Sequence, residues 1–135
     1  MVAQKAQAII IAPADSKALV PVLKNAADKG VIVVNIDNRL DAEALKEKNL
    51  NIPFVGPDNR MGAQLVGERL AKELKAGDKV GIIEGVSTTT NAQQRTAGFK
   101  DAMDAGKMTV VGVQSGQWEI AQGNTKAKAQ ATEIE

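Results

Sequence analysis

Cysteine and histidine are both absent from this chain. Without thiols there is no disulfide, no thiolate nucleophile and no cysteine-bound metal. Without imidazole the commonest general base and the commonest metal ligand are missing as well. A Ser-His-Asp triad, a histidine-ligated zinc centre and a histidine proton relay are therefore set aside. Aromatic residues are nearly absent: two Phe, one Trp and no Tyr make up 2% of 135 residues. The core must then be built from Leu, Ile, Val and Ala, in the manner of parallel α/β proteins. No long apolar run occurs. The first one, Ala8 to Pro13, is too short to cross a membrane or to serve as the apolar stretch of a secretory leader, and no signal peptide is visible. Excess charge of one sign is also lacking: 17 Lys and Arg face 16 Asp and Glu, a net charge of +1. With no basic run, no nucleic-acid partner is expected.

What the chain does contain is enough for one ordinary domain with a sizeable core, since 44% of its residues are hydrophobic. Ala8 to Ala12 is a continuous β-branched run closed by Pro13, which reads as a buried parallel strand. Asp15 or Ser16 can cap a helix reaching about Lys29, with Pro21 early, where its missing N–H costs least. Gly30 ends that helix, and Val31 to Ile36 is a second buried strand. The polar stretch from Asp41 to Asn51 predicts a short exposed helical turn.

Ile52 to Asn59 then holds Pro-Phe-Val-Gly-Pro, an extended segment that serves equally as a hinge strand between two α/β halves or as an edge strand feeding a helix. From Asn59 to Leu74 an apolar stripe of Met61, Leu65, Val66, Leu70 and Leu74 predicts a core-facing helix. A strand is expected over 79–84, a helix from Asn91 to Ala105, a strand over 108–113, and an Ala/Lys/Gln-rich helix from Ile120 onward. Strand, polar loop, helix, glycine and strand thus recur on each side of the crossing segment. The start resembles the end of a helix followed by a strand, and the last helix has no strand after it, so the expectation is a part of something larger.

In parallel α/β sheets, ligands bind beyond the carboxyl ends of the strands. The loops there supply Asp15-Ser16, then Asp37, Asn38 and Arg39, then Ser87 to Asn91, then Gln117-Trp118. Arg95 lies one turn into the helix that starts near Asn91. A carboxylate, amides, guanidiniums, hydroxyls and one indole suit a neutral polyhydroxylated ligand: carboxylate and amide accept from hydroxyls, guanidinium donates in a fork, and indole covers a C–H face. The Gly85-Val-Ser-Thr-Thr-Thr loop has neither the dinucleotide fingerprint nor a P-loop lysine. Asp37 and Glu84 could serve as paired carboxylates, yet no nucleophile or metal set accompanies them. No catalysis and no cofactor are expected.

Several motifs carry a family likeness. Ala-Ile-Ile-Ile-Ala-Pro-Ala-Asp-Ser (8–16), Ile-Asp-Asn-Arg (36–39), Val-Gly-Pro-Asp-Asn (55–59), Asn-Ala-Gln-Gln-Arg-Thr-Ala-Gly-Phe (91–99) and Gln-Trp-Glu (117–119) resemble, in order, those of type I periplasmic sugar-binding proteins. The ribose-, allose- and inositol-type branch that serves ABC importers is the nearest. The resemblance implies parallel βαβ modules on either side of a hinge-like crossing, with residues 1–54 in a first lobe, 55–59 as the crossing and 60–135 in a second lobe. It covers only the middle of such a protein, so an alternative is one flavodoxin-like sheet.

The resemblance further implies non-catalytic binding of a monosaccharide or polyol, a periplasmic location and an ABC permease as partner. Asp37, Asn38, Arg39, Asn91, Arg95 and Trp118 are the implied ligand residues. Asp37 corresponds to a sugar-hydroxyl acceptor, Arg95 to a sugar-binding arginine and Trp118 to a stacking ring. Asn38 stands where ribose binders commonly carry Arg, with Arg39 one position later. Exposed edges would favour a homo-oligomer. The other readings are the effector domain of a LacI-type regulator, which shares the fold, and a self-assembling scaffold without ligand.

Overall fold

The computed structural model describes residues 4–134. Its chain divides into two compact units. The first runs to Pro57 and includes Thr88–Thr90; the second comprises Asp58–Ser87 and the chain from Asn91 onward.

In the first unit, β1 (Ala8–Ile11), β2 (Ile32–Ile36) and β3 (Phe54–Val55) form a parallel sheet in the order β1-β2-β3. Ala8 lies opposite Ile32, and Asn35 opposite Phe54. Helix α1 (Val20–Asp28) follows β1, and α2 (Ala42–Glu47) follows β2. The expected helix start at Asp15 becomes a turn instead: the Asp15 carboxylate accepts from the N–H groups of Lys17 and Ala18, both at 2.8 Å, and helix proper begins at Val20. Pro21 sits in the first helical turn, and Gly30 (φ +80°) closes α1 in the left-handed conformation that glycine adopts without strain. Asp41 caps α2 by accepting from Ala44 N. Val20, Leu23, Val33, Leu40 and Ile52 make the core, with Ile11, Leu19 and Leu45 against it.

That core lies on one face of the sheet. The opposite face is bare: Ile10 is 70% and Ile32 65% exposed. The expectation of strands buried on both sides is corrected here, because both helices of this unit pack where Ile11 and Val33 point. Alternation then sends Ile10 and Ile32 the other way. The crossing segment pairs with β2 as a two-residue edge strand before Asp58, whose carboxylate accepts from Met61 N at 3.0 Å and caps the next helix.

In the second unit, α3 (Asn59–Ala71) is followed by β4 (Lys79–Glu84), α4 (Thr90–Ala105), β5 (Thr109–Ser115) and α5 (Ile120–Ile134). Strands β4 and β5 pair in parallel, with an irregularity between Val80 and Gly81. There are therefore two sheets and not one, which corrects the flavodoxin-like alternative. Met103, Met108 and Ala102 form the core with Leu74, Val80 and Val110 around them. Helix α5 packs on β4 and β5, with Gln130 buried over Gly81 and Gly112.

The apolar stripe of α3 does not face this core. Met61, Leu65, Val66 and Leu70 are exposed, and the buried positions are Asn59, Ala63 and Gly67. Small residues four apart explain the reversal. Ala63 and Gly67 on α3 meet Gly98 and Ala102 on α4 so closely that a Cβ at Gly67 would lie 2.6 Å from that of Ala102. The small face therefore meets α4 in close contact, and the large apolar side chains point away from it. Among the described residues no helix is long and apolar enough to cross a membrane.

Candidate functional site

The first unit gathers its polar residues at the carboxyl ends of β1 and β2. Asn35, 1% exposed, organises them. Its side-chain carbonyl accepts from Leu40 N at 2.8 Å, and its amide donates to Asn38 O at 2.8 Å, with longer contacts to Ile36 O and Ile11 O. The turn 36–40 is thus folded around one buried amide. Asp37 stands exposed at its tip with φ +59°, a left-handed conformation unfavourable for an ordinary residue. Asn38 is buried, and its amide donates to Pro13 O at 2.9 Å. Arg39 is exposed, and its guanidinium lies 4.4 Å from the centre of the Phe54 ring.

Ser16, 2% exposed, ties three stretches together. Its hydroxyl donates to Asn38 Oδ1 at 3.4 Å and accepts from both the N–H and the hydroxyl of Thr90, each at 2.9 Å. That is the full bonding capacity of a hydroxyl. Beside it, Asp15 is held below the usual carboxylate range by the N–H of Ala18, then that of Lys17, then the hydroxyl of Thr88. A group whose pKa is depressed in the folded chain keeps its bonds above the unfolded value and loses them as pH falls through the folded one. We expect the Lys17 and Ala18 amide resonances to be unchanged near neutrality and to titrate with a midpoint below 3.8, the ordinary Asp value. A midpoint at or above it, in an NMR pH titration, would contradict the turn.

The second unit holds a cleft of about 280 Å³ lined by Ile82–Gly85, Ala92, Arg95, Thr96, Phe99 and Trp118. Arg95 crosses it half-buried. Its Nε donates to Asn59 Oδ1 at 2.8 Å, and its guanidinium carbon lies 5.7 Å from the centre of the Trp118 ring. Glu84 accepts from the Thr96 hydroxyl at 3.0 Å. Trp118 is 54% exposed, and the ring lies on Gly85, where any Cβ would occupy the ring's own space. Gln117 and Trp118 both have positive φ, +55° and +59°. Gln117 donates to Ser115 Oγ, which in turn donates to Gly85 O. Asn91, at the start of α4, is buried and accepts from Ala92 N at 2.8 Å.

Each unit thus carries its own share of the sequence-derived set: Asp37, Asn38 and Arg39 in the first, Asn91, Arg95 and Trp118 in the second. Within the second, the structure brings Arg95 and Trp118 to one cleft. In the first, the Asn38 side chain is bound to the loop after β1, through Pro13 O and the Ser16 hydroxyl. Sequence reading passed over Asn35, Ser16 as a three-way tie, and Asn59 as a partner of Arg95. Asn35 carries one readable signal, an amide inside an otherwise apolar run. The Asn59–Arg95 pair, 36 positions apart, carries none. Among the described residues no cluster of acidic side chains could hold a metal ion.

Comparison with known proteins gives a consistent picture. The family model described as "Periplasmic binding protein domain" matches residues 1–134. A D-ribose/D-allose-binding protein of Pseudomonas aeruginosa is 66% identical over 133 residues, which is 98% of this chain and 42% of that protein. An ABC transporter solute binding protein from Burkholderia multivorans is 71% identical and superimposes with a TM-score of 0.96, covering 98% of this chain and 47% of that one. A periplasmic solute binding protein from Actinobacillus succinogenes, with bound D-allose, is 33% identical with a TM-score of 0.89, covering 98% and 48%. The chain therefore spans less than half the length of the relatives it matches.

Proposed function

The chain belongs to the periplasmic binding protein domain family, and from that premise we propose that it binds a monosaccharide or related polyol without transforming it, as part of the solute-binding protein of an ABC importer. The permease is the proposed partner and the periplasm the proposed location. Residues 1–54 and 60–135 are assigned to the two lobes of that protein, with 55–59 as the crossing.

The observation that carries this reading is the Arg95 guanidinium over the face of Trp118 in a cleft that also holds Glu84. The indole offers a flat apolar face, and the guanidinium and carboxylate offer a donor and an acceptor beside it. Ring C–H bonds and hydroxyls of a sugar need that combination. In the first unit, Asp37 supplies an exposed acceptor and Arg39 an exposed donor, while Asn38 holds their turn. Asn91 is assigned to the ligand set through the opening turn of α4.

Because each relative is more than twice as long, the chain by itself supplies only some of the contacts. We expect affinity of about millimolar or weaker. The test is a titration of Trp118 fluorescence with ribose, allose, xylose, galactose and myo-inositol. A saturable response to one of them, abolished by Arg95→Ala, is the expected result. A response that Arg95→Ala leaves intact, or emission indifferent to every sugar, would overturn the assignment of this cleft.

A further inference from the structure

Asn59 is the first residue of α3 and is 7% exposed, whereas Arg95 comes from the second turn of α4. Their contact, Arg95 Nε donating to Asn59 Oδ1 at 2.8 Å, is the one hydrogen bond the Arg95 side chain makes among the described residues. No carboxylate pairs with Arg95 among those residues; the ion pairs found there join Lys17 to Asp41, Lys24 to Asp28, Arg60 to Asp101 and Arg69 to Glu73. We propose that Asn59 is a positioning residue that fixes which edge of the Arg95 guanidinium meets ligand. The inference rests on the sugar-binding reading for its consequence, and on the geometry alone for its existence.

A guanidinium has two donor edges: a side edge of Nε–H with one terminal N–H, and an end edge of the two terminal nitrogens. Asn59 occupies the first by taking Nε–H. The end edge is left for the cleft, where two parallel donors match two neighbouring oxygens, as on adjacent ring hydroxyls. Trp118 restrains the same plane from its face. A neutral amide suits this task. It accepts from Nε without adding a second charge, so the terminal nitrogens keep their full donor strength. Asp58 caps α3 through Met61 N, which fixes the helix start that carries Asn59. The ligand-facing edge of Arg95 is therefore set from a different helix than its own.

The test reads the Nε–H group directly. In the full chain labelled with ¹⁵N-arginine, the Arg95 Nε–H resonance, identified by its loss in Arg95→Lys, is expected to stand apart and to exchange with water at least tenfold more slowly than the exposed arginines. Asn59→Ala should move it into the fast-exchanging group and change Trp118 emission. Asn59→Asp, which keeps an acceptor at that place, should restore slow exchange. In sugar titration Asn59→Ala should weaken binding about tenfold, as loss of a hydrogen bond to a charged group does, with Asn59→Asp closer to the original. Fast exchange of Arg95 Nε–H in the unmodified chain would overturn the proposal whether or not any variant folds. So would Asn59→Ala that lowers Tm but leaves the resonance in place. If no sugar binds while the resonance behaves as expected, the functional reading fails and the positioning role stands.

Discussion

Gly98→Ala should cost the second unit about 3 kcal/mol and lower its melting temperature by roughly 10–20 °C. The reason is where the new methyl would go. A Cβ at Gly98 falls on the carbonyl oxygen of Arg60 and lies 2.9 Å from the backbone N of Gln64 and 3.0 Å from Ala63 Cβ. Backbone atoms of a neighbouring helix cannot swing aside as a side chain can. Helices α3 and α4 must separate, and separation reopens the contacts of Gly67 with Ala102 and of Met103 with its core. Gly62, on the facing helix α3, supplies the control. A Cβ there meets nothing within 4 Å, so Gly62→Ala should stabilise by about 0.5–1 kcal/mol through helix propensity alone. Thermal unfolding followed by Trp118 emission, which reports the second unit, separates the two. Equal effects from both substitutions would mean that the close helix contact does not form.

Asn35→Leu is the second large effect, expected at about 2–4 kcal/mol in the first unit. The branched side chain keeps its number of heavy atoms and an apolar group enters an apolar layer, so hydropathy alone would favour the change. Bonding decides otherwise. Leu40 N and Asn38 O, each held at 2.8 Å by the Asn35 amide, would be left without that partner in a site excluded from water. Leucine can replace neither the donor nor the acceptor. The turn 36–40 should open, and with it the setting of Asp37 and Arg39. Hydrogen exchange read amide by amide should show the protection of Leu40 lost first and that of β2 reduced. Undiminished protection at Leu40 would show that the turn is held by something else.

Sequence pattern reads best where one period dominates. The β-branched runs over 8–11 and 32–36, the glycine at 30 and the strand at 79–84 stand where periodicity and turn chemistry put them, and the strand expected over 108–113 runs over 109–115. It reads worst where two patterns compete on one element. On α3 the large apolar residues at 61, 65, 66 and 70 outweigh Ala63 and Gly67 in any count of hydropathy, yet the small pair forms the contact. A count weighs side chains one helix at a time, and close approach is a property of two helices together. The same limit applies to the site. Arg95, one turn into its helix, and Trp118, in its loop, could be named from their positions and their family likeness. Asn59, Asn35 and Ser16 act through partners 3 to 74 positions away that no local pattern encodes.

Asp37, Gln117 and Trp118 share with Lys5, Asn49 and Lys107 one backbone peculiarity, the left-handed conformation at φ +48° to +60°. For residues with a Cβ that geometry costs about 1–2 kcal/mol each, and for glycine almost nothing. Laboratory evolution selecting this chain for heat resistance alone would therefore be drawn toward glycine at 5, 37, 49, 107 and 117, whereas at 118 the lost packing of the indole on Gly85 opposes the gain. Of these, 37 displays an exposed acceptor, and 117 shapes the turn that displays the indole. Such a selection would yield a hardier chain with a blunted display, and among the positions it reached, 37 and 117 would chart where durability and recognition are opposed.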